Sequence, residues 1–263
     1  MMDGKKSEPG ICNERRAKSM TKRAIPIPIR AILPHYSDMV RLVLFDIDGT
    51  LIRTGGAGTK SFGRMADVLF QKPEGMARID FHGRTDTSIV REFFRNEGIP
   101  DRHWNIHHCF DAYVFLLDHR LSMQAGEVLP GVRQFIANLR VLPEPPLVAL
   151  LTGNIRLGAE IKLRAHDLWD EFTTGAFGDD HESRNQLARI AWDRGTQILG
   201  ERPDPNEILV IGDTPLDIAC GGSIQARTLA VATGGFSVAE LNSHAPTWAV
   251  PDLTQISATE VCA

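Results

Sequence analysis

Cysteine is scarce and dispersed in this 263-residue chain: Cys12, Cys109, Cys220 and Cys262 form no Cys-x-x-Cys pair. That spacing excludes a compact zinc site or a disulfide framework and fits a reducing compartment. Long apolar runs are also missing, and none approaches the ~20 residues of a membrane-spanning helix. The segment Ile25-Pro26-Ile27-Pro28-Ile29 is apolar but broken by prolines, so it is not the hydrophobic region of a signal peptide. Positive charge is not in excess: 29 Lys and Arg face 33 Asp and Glu, a formal net charge of −4. This argues against nucleic acid as the main partner, because such binding needs a basic footprint. There are no internal repeats. What remains is ordinary for a globular protein, 43% hydrophobic and 24% charged, and long enough for one large core or two smaller ones. A soluble, cytoplasmic protein without membrane association is expected.

Charge is unevenly spread. Residues 1–38 carry eight Lys/Arg and four Asp/Glu, so this stretch is net +4 and the remainder net −8. Lacking hydrophobic periodicity, it is expected to be a disordered extension, with the basic run around Arg15 and Arg16 simply solvated. From Arg41 onward, short apolar runs alternate with helical patterns. Leu42–Phe45, Leu147–Leu151, Glu207–Ile211 and Thr228–Val231 look like buried parallel strands, with weaker candidates at Phe172–Phe177 and Thr247–Val250. Helices are expected over Val132–Leu142, Ile155–His166, Ser183–Leu199 and from Leu216. Such alternation predicts an α/β fold, a three-layer α/β/α Rossmann-like parallel sheet.

One region departs from it. Between Thr59 and Met123 the patterns are helical: Thr59–Phe70, Thr87–Asn96 and Trp104–Leu121. A block that long is not a loop, so residues 57–125 are expected to form an inserted helical domain, with 39–56 and 126–263 making the core. Gly55, Gly56 and Gly58 at the entrance serve as a hinge or a plain turn. The exit, Ala125 to Gly131, reads as a second flexible connection.

Chemistry concentrates where strands end. Asp46-Ile47-Asp48-Gly49-Thr50 places two carboxylates one residue apart after the first strand, so both can face one cleft. Two adjacent like charges need a cation or a shared proton. Leu151-Thr152-Gly153-Asn154 ends another strand with a hydroxyl and backbone amides suited to an anion. Gly212-Asp213-Thr214-Pro215-Leu216-Asp217 ends a third with carboxylates. All fall at strand carboxyl ends, where ligands of such sheets gather. Asp179 to Arg184 offers a cation at a helix start.

In order and spacing, these segments resemble the haloacid dehalogenase superfamily over residues 40 to 255, within its phosphatase branch. The resemblance implies Asp46 as a nucleophile that becomes an aspartyl-phosphate and Asp48 as general acid and base. It implies Mg²⁺ held by the Asp46 carboxylate, the Asp48 backbone carbonyl and Asp213. Asp217 would complete the site directly, through water, or by supporting its neighbours. Thr152, with the backbone N–H groups of Gly153 and Asn154, would hold the phosphoryl oxygens. Many relatives carry Lys-Pro in the cation segment, and none occurs between Phe177 and Asp204. Arg184 is the substitute expected here, because its fork of donors suits phosphate; Lys162 and Arg189 are competitors.

Phe81-His82-Gly83-Arg84-Thr85-Asp86 resembles a motif in the helical cap of phosphoglycolate phosphatase-like members. Arg84 there would reach the remote end of the substrate, while Thr85 or Asp86 caps the next helix. His103, His107 and His108 lack acidic companions and are expected to be surface or packing residues; Cys220 is expected to pack. The expectation is therefore a Mg²⁺-dependent phosphatase of a small phosphorylated metabolite, phosphoglycolate first among substrates. The rivals are a sugar phosphomutase, a haloacid dehalogenase and a non-catalytic phosphate-binding module. Asp48 counts against the dehalogenase, which needs no second carboxylate there.

Overall fold

The computed structural model describes residues 39–263; the disordered extension expected over residues 1–38 lies outside the described residues. Along the chain lie β1 (Leu42–Phe45), β2 (Ile52–Arg53), α1 (Ala57–Phe70), α2 (Asp86–Glu97), α3 (His103–Met123) and β3 (Glu127–Val128). Next come α4 (Val132–Arg140), β4 (Leu147–Leu151), α5 (Arg156–Arg164), β5 (Thr174–Ala176), α6 (Arg184–Leu199) and β6 (Ile208–Gly212). The last are α7 (Pro215–Ser223), β7 (Arg227–Val231), α8 (Val238–Asn242), β8 (Trp248–Val250) and α9 (Ala258–Cys262).

Six strands form one parallel sheet in the order β5-β4-β1-β6-β7-β8. The central strand shows why three layers result. Its residues are fully buried and alternate between two faces. Val43 and Phe45 join a core with Phe135 and Ile136 of α4, Leu163 of α5 and Val261 of α9. Leu42 and Leu44 join another with Leu187 and Ala191 of α6 and Cys220 of α7. An α/β Rossmann-like sheet is thus in place. The chain runs outward from β1 through β4 to β5, then returns to β6 on the other side of β1. This reversal opens a crevice at the carboxyl end of β1.

Helices α1, α2 and α3 have their own hydrophobic cluster, with Phe62, Met65, Phe93, Phe94, Tyr113 and Leu117 at its centre. Phe62 stacks on Tyr113 with ring centroids 3.9 Å apart. Apolar residues at helical spacing on each helix explain this cluster, since no sheet face is needed to bury them.

Several boundaries differ from the sequence reading for local reasons. The strand expected from Glu207 begins at Ile208, because Glu207 folds back to accept a hydrogen bond from the Asp204 backbone N–H (2.9 Å). The exit from the helical block is not a loose connection. Its β3 pairs antiparallel with β2, and Arg53 bridges to Glu127 at 2.8 Å. The two crossings are therefore stitched into a short ribbon, too short to leave a periodic signal.

Candidate active site

The carboxyl ends of β1, β4 and β6 deliver Asp46, Thr152 and Asp213 to one place. Their backbones remain tied to the sheet: the Asp46 N–H donates to the Ile211 carbonyl (2.9 Å) and the Thr152 N–H to that of Ala176 (3.1 Å). After Asp46 the chain turns at once, with the Leu51 N–H on the Ile47 carbonyl (2.9 Å). Gly49 makes this possible. Its φ is +82°, and a Cβ there would come within 2.4 Å of an Asp213 carboxylate oxygen. The glycine of the Asp-x-Asp-Gly segment thus lets the first and third acidic loops touch. Thr50 completes the contact by donating to Asp213 Oδ1 (3.0 Å).

Carboxylate oxygens of Asp46, Asp213 and Asp217 lie within 4.8 Å of one another, and all three residues are buried. Burial, then the charges of Asp217 and Asp48 against the opposing pull of Arg184, push the Asp46 carboxyl up to about 6. Burial followed by the charges of Asp217 and Asp46 raises Asp213 well above the usual carboxylate range. Anionic oxygens crowded in a dry site are short of positive charge, and the donor set is hard oxygen throughout. Such a site suits Mg²⁺.

The members of the triad are not equivalent. Asp217 Oδ2 accepts from the Thr214 backbone N–H (3.0 Å) and hydroxyl (2.7 Å), and its Oδ1 meets Arg184. Thr214 in turn accepts from the Asp217 N–H, with Pro215 in the first turn, so Asp217 also closes a capping box at the start of α7. Both of its oxygens are engaged, which favours a supporting place over a direct one.

Arg184 is the first residue of α6, and its side chain is 7% exposed. Its Nη2 lies 3.1 Å from Asp46 Oδ1 and also contacts Asp217, while Nη1 donates to the Gly83 carbonyl (3.1 Å) in the helical block. Burial opposes its charge, but the carboxylates of Asp217 and Asp46 outweigh this and hold it protonated. The other competitors separate cleanly. Arg189 is absent from the cleft lining, whereas Lys162 reaches the site by another route.

Lys162, on α5, was weighed above only as an alternative phosphate cation. Its Nζ donates to Asp48 Oδ2 and to Asn154 Oδ1, both at 2.6 Å. Lysine can only donate, so Asn154 must turn its oxygen to Lys162. That leaves its NH₂ for Asp48 (2.8 Å) and for the Thr152 hydroxyl (2.9 Å). Asp48, Lys162, Asn154 and Thr152 therefore form one network. No sequence pattern links a lysine in the last turn of α5 to an aspartate 114 residues earlier.

Gly153 sits at the seam between core and helical block. A Cβ there would lie 2.0 Å from the Arg84 carbonyl oxygen, and the Asp86 N–H donates to the Gly153 carbonyl (2.7 Å). Thr85 is the cap of α2, accepting from the Ser88 N–H (3.2 Å). Asp86 instead reaches the core, where its carboxylate accepts from the Ile155 N–H at the start of α5 (2.8 Å). Burial first, offset in part by Lys162, pushes its carboxyl up to about 7.

Arg84 differs from expectation. It lines the cleft, yet its Nη1 is paired with Glu92 (2.6 Å) and its Nη2 donates to the Ser88 carbonyl (3.3 Å). Its fork is engaged inside the helical block. His103 and His107 share a hydrogen bond at the surface, Nε2 to Nε2 3.1 Å, outside the acidic triad. Cys220 is buried, its thiol pushed up to about 12 by burial. Among the described residues no helix is long and apolar enough to cross a membrane.

Residues 40–223 match the family model of haloacid dehalogenase-like hydrolases. The chain belongs to that family. A curated relative, the bifunctional riboflavin kinase/FMN phosphatase of Arabidopsis thaliana, is 24% identical over 193 residues, which is 72% of this chain and 48% of the relative. The chain thus spans about half the length of the curated relative it matches. Among solved structures, a CbbY variant from Rhodobacter sphaeroides in complex with xylulose-(1,5)-bisphosphate superposes with a TM-score of 0.65 at 15% identity, covering 86% of this chain and all of that one. A protein from Bacteroides vulgatus assigned as a β-phosphoglucomutase superposes at 0.60 with 21% identity, covering 83% of this chain and 86% of the other. At such identities the likeness is one of fold.

Proposed function

We propose that the chain is a Mg²⁺-dependent phosphatase that hydrolyses a small phosphomonoester through an aspartyl-phosphate on Asp46. The observation that carries this reading is the convergence of Asp46, Asp48, Thr152, Arg184 and Asp213 on one cleft. Asp46 attacks phosphorus as the P–O bond to the alcohol breaks, and Asp48 gives that leaving oxygen its proton. Asp48 then takes a proton from water, whose oxygen attacks the same phosphorus and frees Asp46. Thr152 donates to a phosphoryl oxygen, joined by the backbone N–H groups of Gly153 and Asn154. Arg184 presents positive charge to the same oxygens and steadies Asp46 between attacks.

Mg²⁺ would be held by the carboxylates of Asp46 and Asp213 and the Asp48 carbonyl, with Asp217 supporting through Arg184 and Thr214. Bound there, it would screen the repulsion between an anionic nucleophile and an anionic ester. Helices α1 to α3 act as a cap over the cleft that excludes bulk water. Phosphoglycolate, first among substrates on the resemblance of the Phe81–Asp86 segment, has its case weakened by the engagement of Arg84 with Glu92.

The deciding measurement is p-nitrophenyl phosphate turnover with and without Mg²⁺, beside Asp46→Asn. Chelator-sensitive turnover lost in the variant is expected; turnover that persists in Asp46→Asn sinks the proposal. A phosphomutase reading draws on the fold shared with the Bacteroides vulgatus protein. Isomerisation of a hexose monophosphate with a bisphosphate primer, without release of phosphate, would favour it instead.

A further inference from the structure

The cleft above Asp46 encloses about 420 Å³, more than a phosphoryl group alone would fill. Its floor is the charged cluster at the strand ends. Its far wall is different: Phe62, Ile79, Phe81, Ile89 and Tyr113 of the helical block line it. Four of these five are buried, and Phe62 packs between Tyr113 (3.9 Å) and Phe81 (5.8 Å). Burial, followed by the charges on Asp86 and Asp48, raises the Tyr113 hydroxyl well above its ordinary range, so it stays neutral.

A substrate with a carboxylate at its remote end would need an available cation on that wall. Each basic group lining the cleft already holds an acid. Arg84 pairs with Glu92 (2.6 Å), Arg53 with Glu127 (2.8 Å), Lys162 with Asp48 (2.6 Å), and His82 with Asp80 (2.7 Å). Arg184 is held at the floor by Asp46 and Asp217. Five aspartates line the cleft against three arginines and one lysine. A second anionic group on the ligand would have to draw Arg84 from its part-buried pair with Glu92; the Arg53 and His82 pairs are exposed and give way at little cost.

We propose that the preferred substrate is a phosphomonoester whose alcohol portion is uncharged and carries an apolar or aromatic surface, seated against the partly exposed Phe81 of the apolar lining. This refinement rests on the phosphatase reading above. It departs from the carboxylate-bearing substrate that the Phe81–Asp86 segment suggested. An apolar wall discriminates through removal of ligand surface from water, and the engaged cations add selection against a remote negative charge.

The test is calorimetric binding of two non-hydrolysable phosphonates that share a P–CH₂ unit to the full chain, with Mg²⁺ in excess. Benzylphosphonate offers an uncharged ring, and phosphonoacetate offers a carboxylate. Benzylphosphonate is expected to bind at least about tenfold tighter, the scale on which a hydrophobic pocket discriminates. A smaller ratio, or a reversed one, overturns the proposal. Phe81→Ala should cut the preference at least about threefold by removing ring contacts; an unchanged preference would mean that this wall does not select. Glu92→Gln, at a partly exposed surface position, should raise phosphonoacetate affinity several-fold by releasing Arg84; no gain would remove the charge argument. Failure of both phosphonates and of inorganic phosphate to bind would break the phosphate site itself. A normal phosphate site with no preference would break this inference alone.

Discussion

The two walls of the cleft treat polar groups in opposite ways. On the floor, at the ends of β1, β4 and β6, carboxylates are crowded, buried and short of counter-charge, and Asp46 and Asp213 are driven toward their neutral forms. On the helical wall the basic side chains Arg84 and His82 have acidic partners, and Phe62, Ile79, Phe81, Ile89 and Tyr113 add an apolar surface. A surface that leaves its charges under-compensated is prepared to receive a cation and a phosphate. A surface that has neutralised its charges is prepared to sort ligands by shape and apolar area. On the proposed reading, reaction and selection are divided between sheet and insertion. Arg184 and Asp86 are among the side chains that cross the seam, to the Gly83 carbonyl and the Ile155 N–H, as do Thr85 and Thr87 to the Glu182 and Gly178 carbonyls.

The sharpest way to break this division is at Asp46. Asp46→Asn should lower p-nitrophenyl phosphate turnover by at least about 10³-fold, as removal of a nucleophile does. Its melting temperature should hold or rise, because a buried charge has been removed. A stable variant with more than a tenth of normal turnover would move the chemistry elsewhere. Arg184→Ala should cost roughly 10²–10³ in kcat, the range for loss of a preorganised donor. Arg84→Ala, in contrast, should cost less than about tenfold in kcat, because its fork is already engaged by Glu92 and the Ser88 carbonyl. Similar losses in kcat for the two arginines would erase the contrast between floor and wall.

The sequence carried the floor much better than the wall, and the reason is physical. Strands such as Leu42–Phe45 are buried on both faces, so they appear as unbroken apolar runs, and the acidic residues that follow them stand out. Motif residues before and after a strand end are positioned by the strand itself, and so Asp46, Thr152 and Asp213 could be placed from local pattern. Lys162 and Asp86 could not. Each meets its partner across the molecule, Lys162 at Asp48 and Asp86 at Ile155, and lies within an ordinary amphipathic helix. Arg84 shows the same limit: nothing in the local pattern of a loop arginine signals its pairing with Glu92 in the following helix. The ribbon of β2 and β3 escaped because two-residue strands have no periodicity to read.

Metal binding sharpens the floor from another side. Adding millimolar Mg²⁺ to metal-free protein should raise the melting temperature, since an ion that binds only the folded state stabilises by mass action. Asp213→Asn should abolish that rise while leaving the protein folded, by circular dichroism. A rise of equal size in the variant would show that the ion is held elsewhere.

The smallest effect expected is at the seam, where Asp86 is buried in the helical block against the start of α5. Its carboxyl is raised from 3.8 to about 7, so the folded state favours the neutral form. The associated stability is complete below the unfolded value near 4 and is lost as pH rises through about 7. Asp46, to about 6, and Asp213 shift in the same direction, but saturating Mg²⁺ would hold both ionised and remove them from the balance. Under saturating Mg²⁺, the melting temperature of the wild type should therefore fall between pH 5 and pH 8 through Asp86. In Asp86→Asn the amide oxygen can still accept from the Ile155 N–H, and nothing there titrates. The variant's decline should be shallower by about 2–4 °C, the scale of 1 kcal/mol for a chain of this size. Parallel slopes would mean that Lys162 keeps Asp86 ionised throughout. The seam would then be one more charged cluster like the floor, rather than a neutral joint between the two walls.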